Sequence, residues 1–151
     1  MHEYSSLSYT QQLYYSFWNY FNECAKKEAL FSKEFSVKSS STSRGFQDYG
    51  IGCGFHVVLK INQKSDAAFV GIYFDRIELY DEFFNYRREH IEEVLKSKLI
   101  WKREMTKGSA YFVSKKTQIE DKANWNKLVQ WMMCTAVTIK RLFLSFYVGS
   151  R

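Results

Sequence analysis

The run from Ala67 to Phe74 is apolar on nearly both faces of an extended strand. Successive side chains of a strand point to opposite sides, so such a run is expected to be covered on both and to lie inside a sheet. The rest of the chain has to be arranged around it. Just before it, Phe55, Val57, Leu59 and Ile61 alternate with His56, Val58 and Lys60, the period of two that marks a half-buried neighbour. Asn62-Gln63-Lys64-Ser65-Asp66 turns one strand into the other, and a further short strand over 46–51 extends the meander.

Helical spacing flanks these strands. From Thr10, read as an N-cap, Leu13, Phe17, Phe21 and Cys24 recur at steps of three and four to about Ala29. A second helical stretch covers 77–96, with Tyr80, Phe84, Ile91 and Val94 on its stripe and Arg87, Arg88, Glu89, Glu92 and Glu93 solvated. Leu99, Trp101 and Arg103 return to alternation, and Lys107-Gly108-Ser109 turns the chain into 110–114, a hairpin. Trp125, Leu128, Met132, Ile139, Leu142 and Phe146 then hold helical spacing for about six turns, with Asp121 or Asn124 as N-cap. There is no proline, and the serine-rich stretch 36–43 is too short a connector to divide domains. The expectation is one α+β domain over 1–151: a single-layer, mostly antiparallel sheet of about five strands packed by three helices, in the order α-β-β-(β)-α-β-β-α.

An aromatic content of 19% predicts a core of large flat rings. The net charge of +6, from 22 basic and 16 acidic residues, favours acidic partners, nucleic acid first. Cys24, Cys53 and Cys134 are odd in number and dispersed, and the start Met1-His2-Glu3-Tyr4 has no basic-then-apolar leader. No run approaches the ~18 apolar residues that cross a bilayer. A cytoplasmic protein with reduced thiols and no membrane partner is expected.

Spacing decides which motifs could carry chemistry. Gly50, Gly52 and Gly54 form a G-x-G-x-G run, but it leads into a strand rather than a helix, which argues for a turn or bulge over a phosphate loop. His2, His56 and His90 are isolated, with no paired-ligand spacing for zinc. Cys134 is expected to be inert in an apolar helix setting, and Cys53 and His56 to point to opposite faces of a strand. Glu120-Asp121-Lys122 matches half of a metal-dependent nuclease motif, yet stands where a helix should begin. No catalytic residue, metal site or cofactor is assigned. The candidate nucleic-acid-binding residues are Trp101, Lys102, Arg103, Tyr111, Lys115 and Lys116, basic and aromatic side chains on two paired strands. The same composition also suits a half-buried hairpin whose lysines shield its edge.

Tyr15-Ser16-Phe17-Trp18-Asn19-Tyr20-Phe21-Asn22-Glu23, Ile51-Gly52-Cys53-Gly54-Phe55-His56, Ile91-Glu92-Glu93 with Leu99-Ile100-Trp101, and Trp125 with Trp131 carry a resemblance. In their order and spacing the chain resembles, over nearly its whole length, the bacterial family known as domain of unknown function 4268. Members of that family stand alone or as C-terminal modules of larger proteins, some with a nuclease-like domain. The resemblance therefore implies an accessory or recognition role around DNA. The chain departs from the family pattern at Gly71, where an acidic residue is usual, and at Ala110-Tyr111, where a basic one is. The expected function is a non-catalytic binding module whose partner is nucleic acid or protein. The alternatives are an unusual metal-dependent nuclease using Asp66, Asp75, Glu78 and Glu120, and a homodimerising protein–protein module.

Overall fold

The computed structural model describes residues 6–149, so the leading Met1–Tyr4 segment, and His2 with it, lies outside the described residues. Five strands form one antiparallel sheet: β1 (Phe46–Gly52), β2 (Phe55–Asn62), β3 (Ala67–Phe74), β4 (Ile100–Arg103) and β5 (Gly108–Lys115). Their spatial order is β1-β2-β3-β5-β4, which puts β3 in the middle. Around them run α1 (Tyr9–Lys27), α2 (Ala29–Glu34), α3 (Ile77–Tyr86), α4 (Arg88–Leu95) and α5 (Trp125–Gly149). The α+β class and the five antiparallel strands agree with the sequence reading.

Strand register sorts the side chains into two faces. Phe55 pairs with Phe74, Val57 with Ile72 and Leu59 with Val70, and all six are buried. The helices pack on this face. Phe83 of α3 and Phe143 of α5 meet Phe55 and Phe74 at ring distances of 5.3–6.3 Å. Phe31 of α2 packs on Tyr49 of β1, and Asn22 of α1 exchanges side-chain amide hydrogen bonds with the buried Gln47. That exchange satisfies two amides that would otherwise be costly to bury.

The second face differs from expectation. His56, Val58, Phe69, Tyr73, Ser109 and Tyr111 point away from the helices and remain half-exposed. The central strand is thus covered by helices from one side, and its second apolar row faces outward. Apolar letters alone cannot separate a buried wall from an apolar outer surface.

Helix boundaries also shift. Ser8, not Thr10, caps α1: its hydroxyl accepts from the Gln11 amide while the Gln11 side chain accepts from the Ser8 amide, a reciprocal pair that satisfies two orphan donors. The Thr10 hydroxyl instead donates to the Gln63 side chain. Glu28 is extended and ends α1, and its carboxylate caps α2 through the Leu30 amide. The expected helix over 77–96 breaks at Arg87, so three expected helical segments become five helices. Cys134, expected in an apolar setting, is exposed on α5. The Gly52-Cys53-Gly54 run is the tip of the β1–β2 hairpin, with all three residues at positive φ and a register shift just before it.

Phe83 touches strands and α5 at once, so Phe83→Ala is expected to destabilise the fold by about 3–5 kcal/mol. Tyr86→Ala, at an exposed position one turn on, should change stability by less than about 0.5 kcal/mol. Urea unfolding monitored by circular dichroism measures both, and equal effects would contradict this account of the core.

Candidate nucleic-acid interface

The outward face is built around a glycine. Gly71 lies directly opposite Tyr111 on β5, and a Cβ at Gly71 would come within 2.3 Å of the Tyr111 Cβ and the Ala110 carbonyl oxygen. Only a residue without a side chain lets β5 approach so closely. Phe69 and Tyr73 flank Gly71 on β3 and share its face. Phe69 and Tyr111 meet edge to face at 5.5 Å. Three rings therefore stand on the two middle strands around one side-chain-free position. The two places where the sequence departs from the resembled family's pattern, Gly71 and Ala110-Tyr111, thus lie against each other.

Cations surround the rings. The Lys60 ammonium lies over the Phe69 ring at 5.3 Å, and Lys107 over Tyr73 at 5.5 Å. Lys102, opposite Ser109 on the edge strand, completes the rim. Lys60, Lys102 and the three rings border a groove of about 310 Å³ that includes Gly71, Ser109 and Glu104, large enough for a base-sized ligand.

One end of the face is held by a three-residue clamp. His56 Nδ1 lies 2.8 Å from Asp48 on β1, and Nε2 lies 2.9 Å from the Asp75 carboxylate just after β3. Its ring also packs edge to face on Tyr73 at 5.8 Å. Partial burial pulls the imidazole pKa down, but hydrogen bonds and charge from both carboxylates outweigh it and leave it raised. Both ring nitrogens are engaged, and the Cys53–His56 pair expected to point apart makes no dyad: Cys53 is exposed at the hairpin tip.

The structure divides the six candidate residues. Lys102 and Tyr111 belong to the outward face, and Lys115 pairs with Ala67 farther along it. Lys116 follows the strand in a left-handed conformation. Trp101 turns to the helix side, where its ring faces Phe74 and Phe143 and its indole N–H donates to Glu92. Arg103 forms two hydrogen bonds with Asp81 of α3. Adjacent letters on a strand cannot serve one face. Phe69 and Tyr73 escape the sequence reading because a strand apolar on both faces reads as buried, and Lys60 because it stands alone on the polar side of β2; aromatics four apart around a glycine, on the face shared with Lys60, are the signal that marks them.

The acids of the nuclease alternative do not all meet in one cleft: Asp66 and Glu120 line a pocket with Asp121, and Asp75 lies elsewhere. Asp66 and Asp75 flank opposite ends of β3, about 30 Å apart at the usual rise per residue. Asp66 accepts from Thr117, Gln118 and Ile119, Glu120 accepts from the Tyr9 hydroxyl, and Asp75 holds His56. Among the described residues no group of three or more His, Cys, Asp or Glu is placed to hold a metal ion. No helix among them is long and apolar enough to cross a membrane.

The chain belongs to the family described as domain of unknown function (DUF4268), whose model matches residues 13–146. No curated protein and no solved structure matches it.

Because the folded-state pKa of His56 lies above its ordinary 6.5, the clamp's stabilisation is full below that value and is lost as pH rises through the folded pKa. His56→Gln should therefore cost more stability at pH 6 than at pH 8, as measured by urea unfolding. A pH-independent cost would contradict the clamp.

Proposed function

We propose, from membership of a family whose description carries no activity, that the chain is a non-catalytic binding module whose outward sheet face takes single-stranded nucleic acid. The observation that supports this most is the combination of Phe69, Tyr111 and Tyr73 on the middle strands with Lys60, Lys107 and Lys102 around them. Nucleic-acid bases stack on aromatic rings, each stack contributing about 1–3 kcal/mol, while lysines meet phosphates and release counterions. Phe69 and Tyr73 are about 13 Å apart along β3, with Tyr111 on the next strand between them. That spacing is wider than the ~3.4 Å between stacked bases of a duplex strand, so it suits splayed, unstacked bases. A base sliding onto Phe69 or Tyr73 would displace a lysine from the ring toward the backbone phosphate. The net charge of +6 assists encounter.

An accessory role beside a nucleic-acid-acting or defence protein extends the same reading and rests on the resemblance. The nuclease alternative is less well supported, because Asp66 and Glu120 line one pocket while Asp75 lies at the other end of β3. The homodimer alternative has less support too: the exposed large apolar side chains, such as Leu30, Phe46, Tyr86, Val94, Ile100 and Met105, are spread over many elements.

Fluorescence anisotropy with a labelled single-stranded oligonucleotide tests the proposal. Affinity should fall linearly with the logarithm of salt concentration, and Lys60→Ala or Lys102→Ala should each reduce the slope by roughly 0.7. Tyr111→Ala should weaken binding by about 1–3 kcal/mol with little change in slope. Arg103→Ala, whose guanidinium is engaged by Asp81, should leave affinity nearly unchanged. Absence of salt-sensitive binding, or equal losses at Arg103 and Lys102, would count against the face.

A further inference from the structure

We infer that the depression over Gly71 and Ser109 is a single-base pocket selective for guanine, an inference that rests on the single-strand reading above. Its floor is low because Gly71 has no side chain and Ser109 a short one. Tyr73 and Tyr111 stand beside that floor, and Lys102 and Glu104 border it from the β4 side. The volume of about 310 Å³ is ample for one base.

Glu104 is the residue that the phosphate-binding account leaves unexplained. It is exposed, and its carboxylate takes no hydrogen bond from the described residues, although Lys107 is near enough to feel its charge. Toward a phosphodiester such a group is only repulsive. Toward the edge of a base it discriminates, because a carboxylate accepts and never donates. Lys102 stands two residues earlier and lines the same pocket, and an ammonium donates and never accepts.

On its β4 side the pocket edge therefore offers one side-chain donor, from Lys102, followed by the pair of acceptor oxygens of Glu104. Guanine's Watson–Crick edge is the complement: the O6 acceptor, then two adjacent donors at N1 and N2. A carboxylate can take both donors while the ammonium reaches O6. Adenine places an acceptor beside its one donor amine, cytosine places two, and uracil or thymine has a single donor between two carbonyls. In each of those bases the second carboxylate oxygen would face a lone pair, which leaves a polar group unsatisfied at a partly enclosed site. Bidentate recognition of this kind is where base discrimination is strongest.

The test is an anisotropy titration of labelled uridine oligomers, each carrying one central guanosine, inosine, adenosine or cytidine. The guanosine oligomer should bind about tenfold more tightly than the all-uridine, adenosine or cytidine ones, with inosine, which lacks the N2 amine, in between. Glu104→Gln should reduce the ratio of guanosine to all-uridine affinity to less than about twofold. Equal affinities, a preference for another base, or a guanosine preference that survives Glu104→Gln would overturn the guanine assignment. In those cases salt-sensitive binding of all-uridine would leave the wider reading of the face standing. Failure of every oligomer to bind would overturn both.

Discussion

The ring cluster of Phe55, Phe74, Phe83 and Phe143 fixes the rest of the structure. It ties β2 and β3 to α3 and α5 from one side of the sheet. Burying such large side chains is worth several kcal/mol each relative to truncation, far more than any surface contact in the molecule. Once that side is chosen, the alternation of the strands sends Val58, Phe69, Gly71, Tyr73 and Tyr111 the other way. The outward face is a consequence of where the helices pack.

That consequence connects packing to function. An apolar, partly exposed sheet face is a liability for a protein that uses it for nothing, since such surfaces associate. Here its rings carry lysine heads over them, and one end is tied down by Asp48, His56 and Asp75. When His56 is protonated it offsets one of the two carboxylate charges at that end. Gly71 sets the depth of the surface because β5 cannot approach any other residue so closely.

Much of the fold was legible in the sequence because burial imposes periods. The stripe from Trp125 to Phe146 and the alternation from Phe55 to Ile61 gave a long helix and a strand where the structure has them. The first helix ends close to the expected Ala29, but the short α2 after it and the break at Arg87 were not legible, since neither is marked by a proline or glycine and tertiary packing decides them. The membership of the proposed face was legible in part. Lys102 and Tyr111 lie on that face, but Trp101 and Arg103 were grouped with Lys102 although alternation sends them to the helix side, where Glu92 and Asp81 hold them. Phe69 and Tyr73 were hidden by their own apolarity: a ring that stacks on a base and a ring that fills a core are the same letter.

The central claim is that the helix-free face of the sheet is the binding surface. Amide chemical-shift mapping of the folded chain, titrated with a single-stranded oligonucleotide, addresses it most directly. The account predicts that the largest shifts fall on Val58, Phe69, Gly71, Ser109 and Tyr111, while Tyr15, Asn19 and Trp125 on the helix side stay in place. Shifts concentrated on the helix side, or no shifts at saturating oligonucleotide, would contradict it.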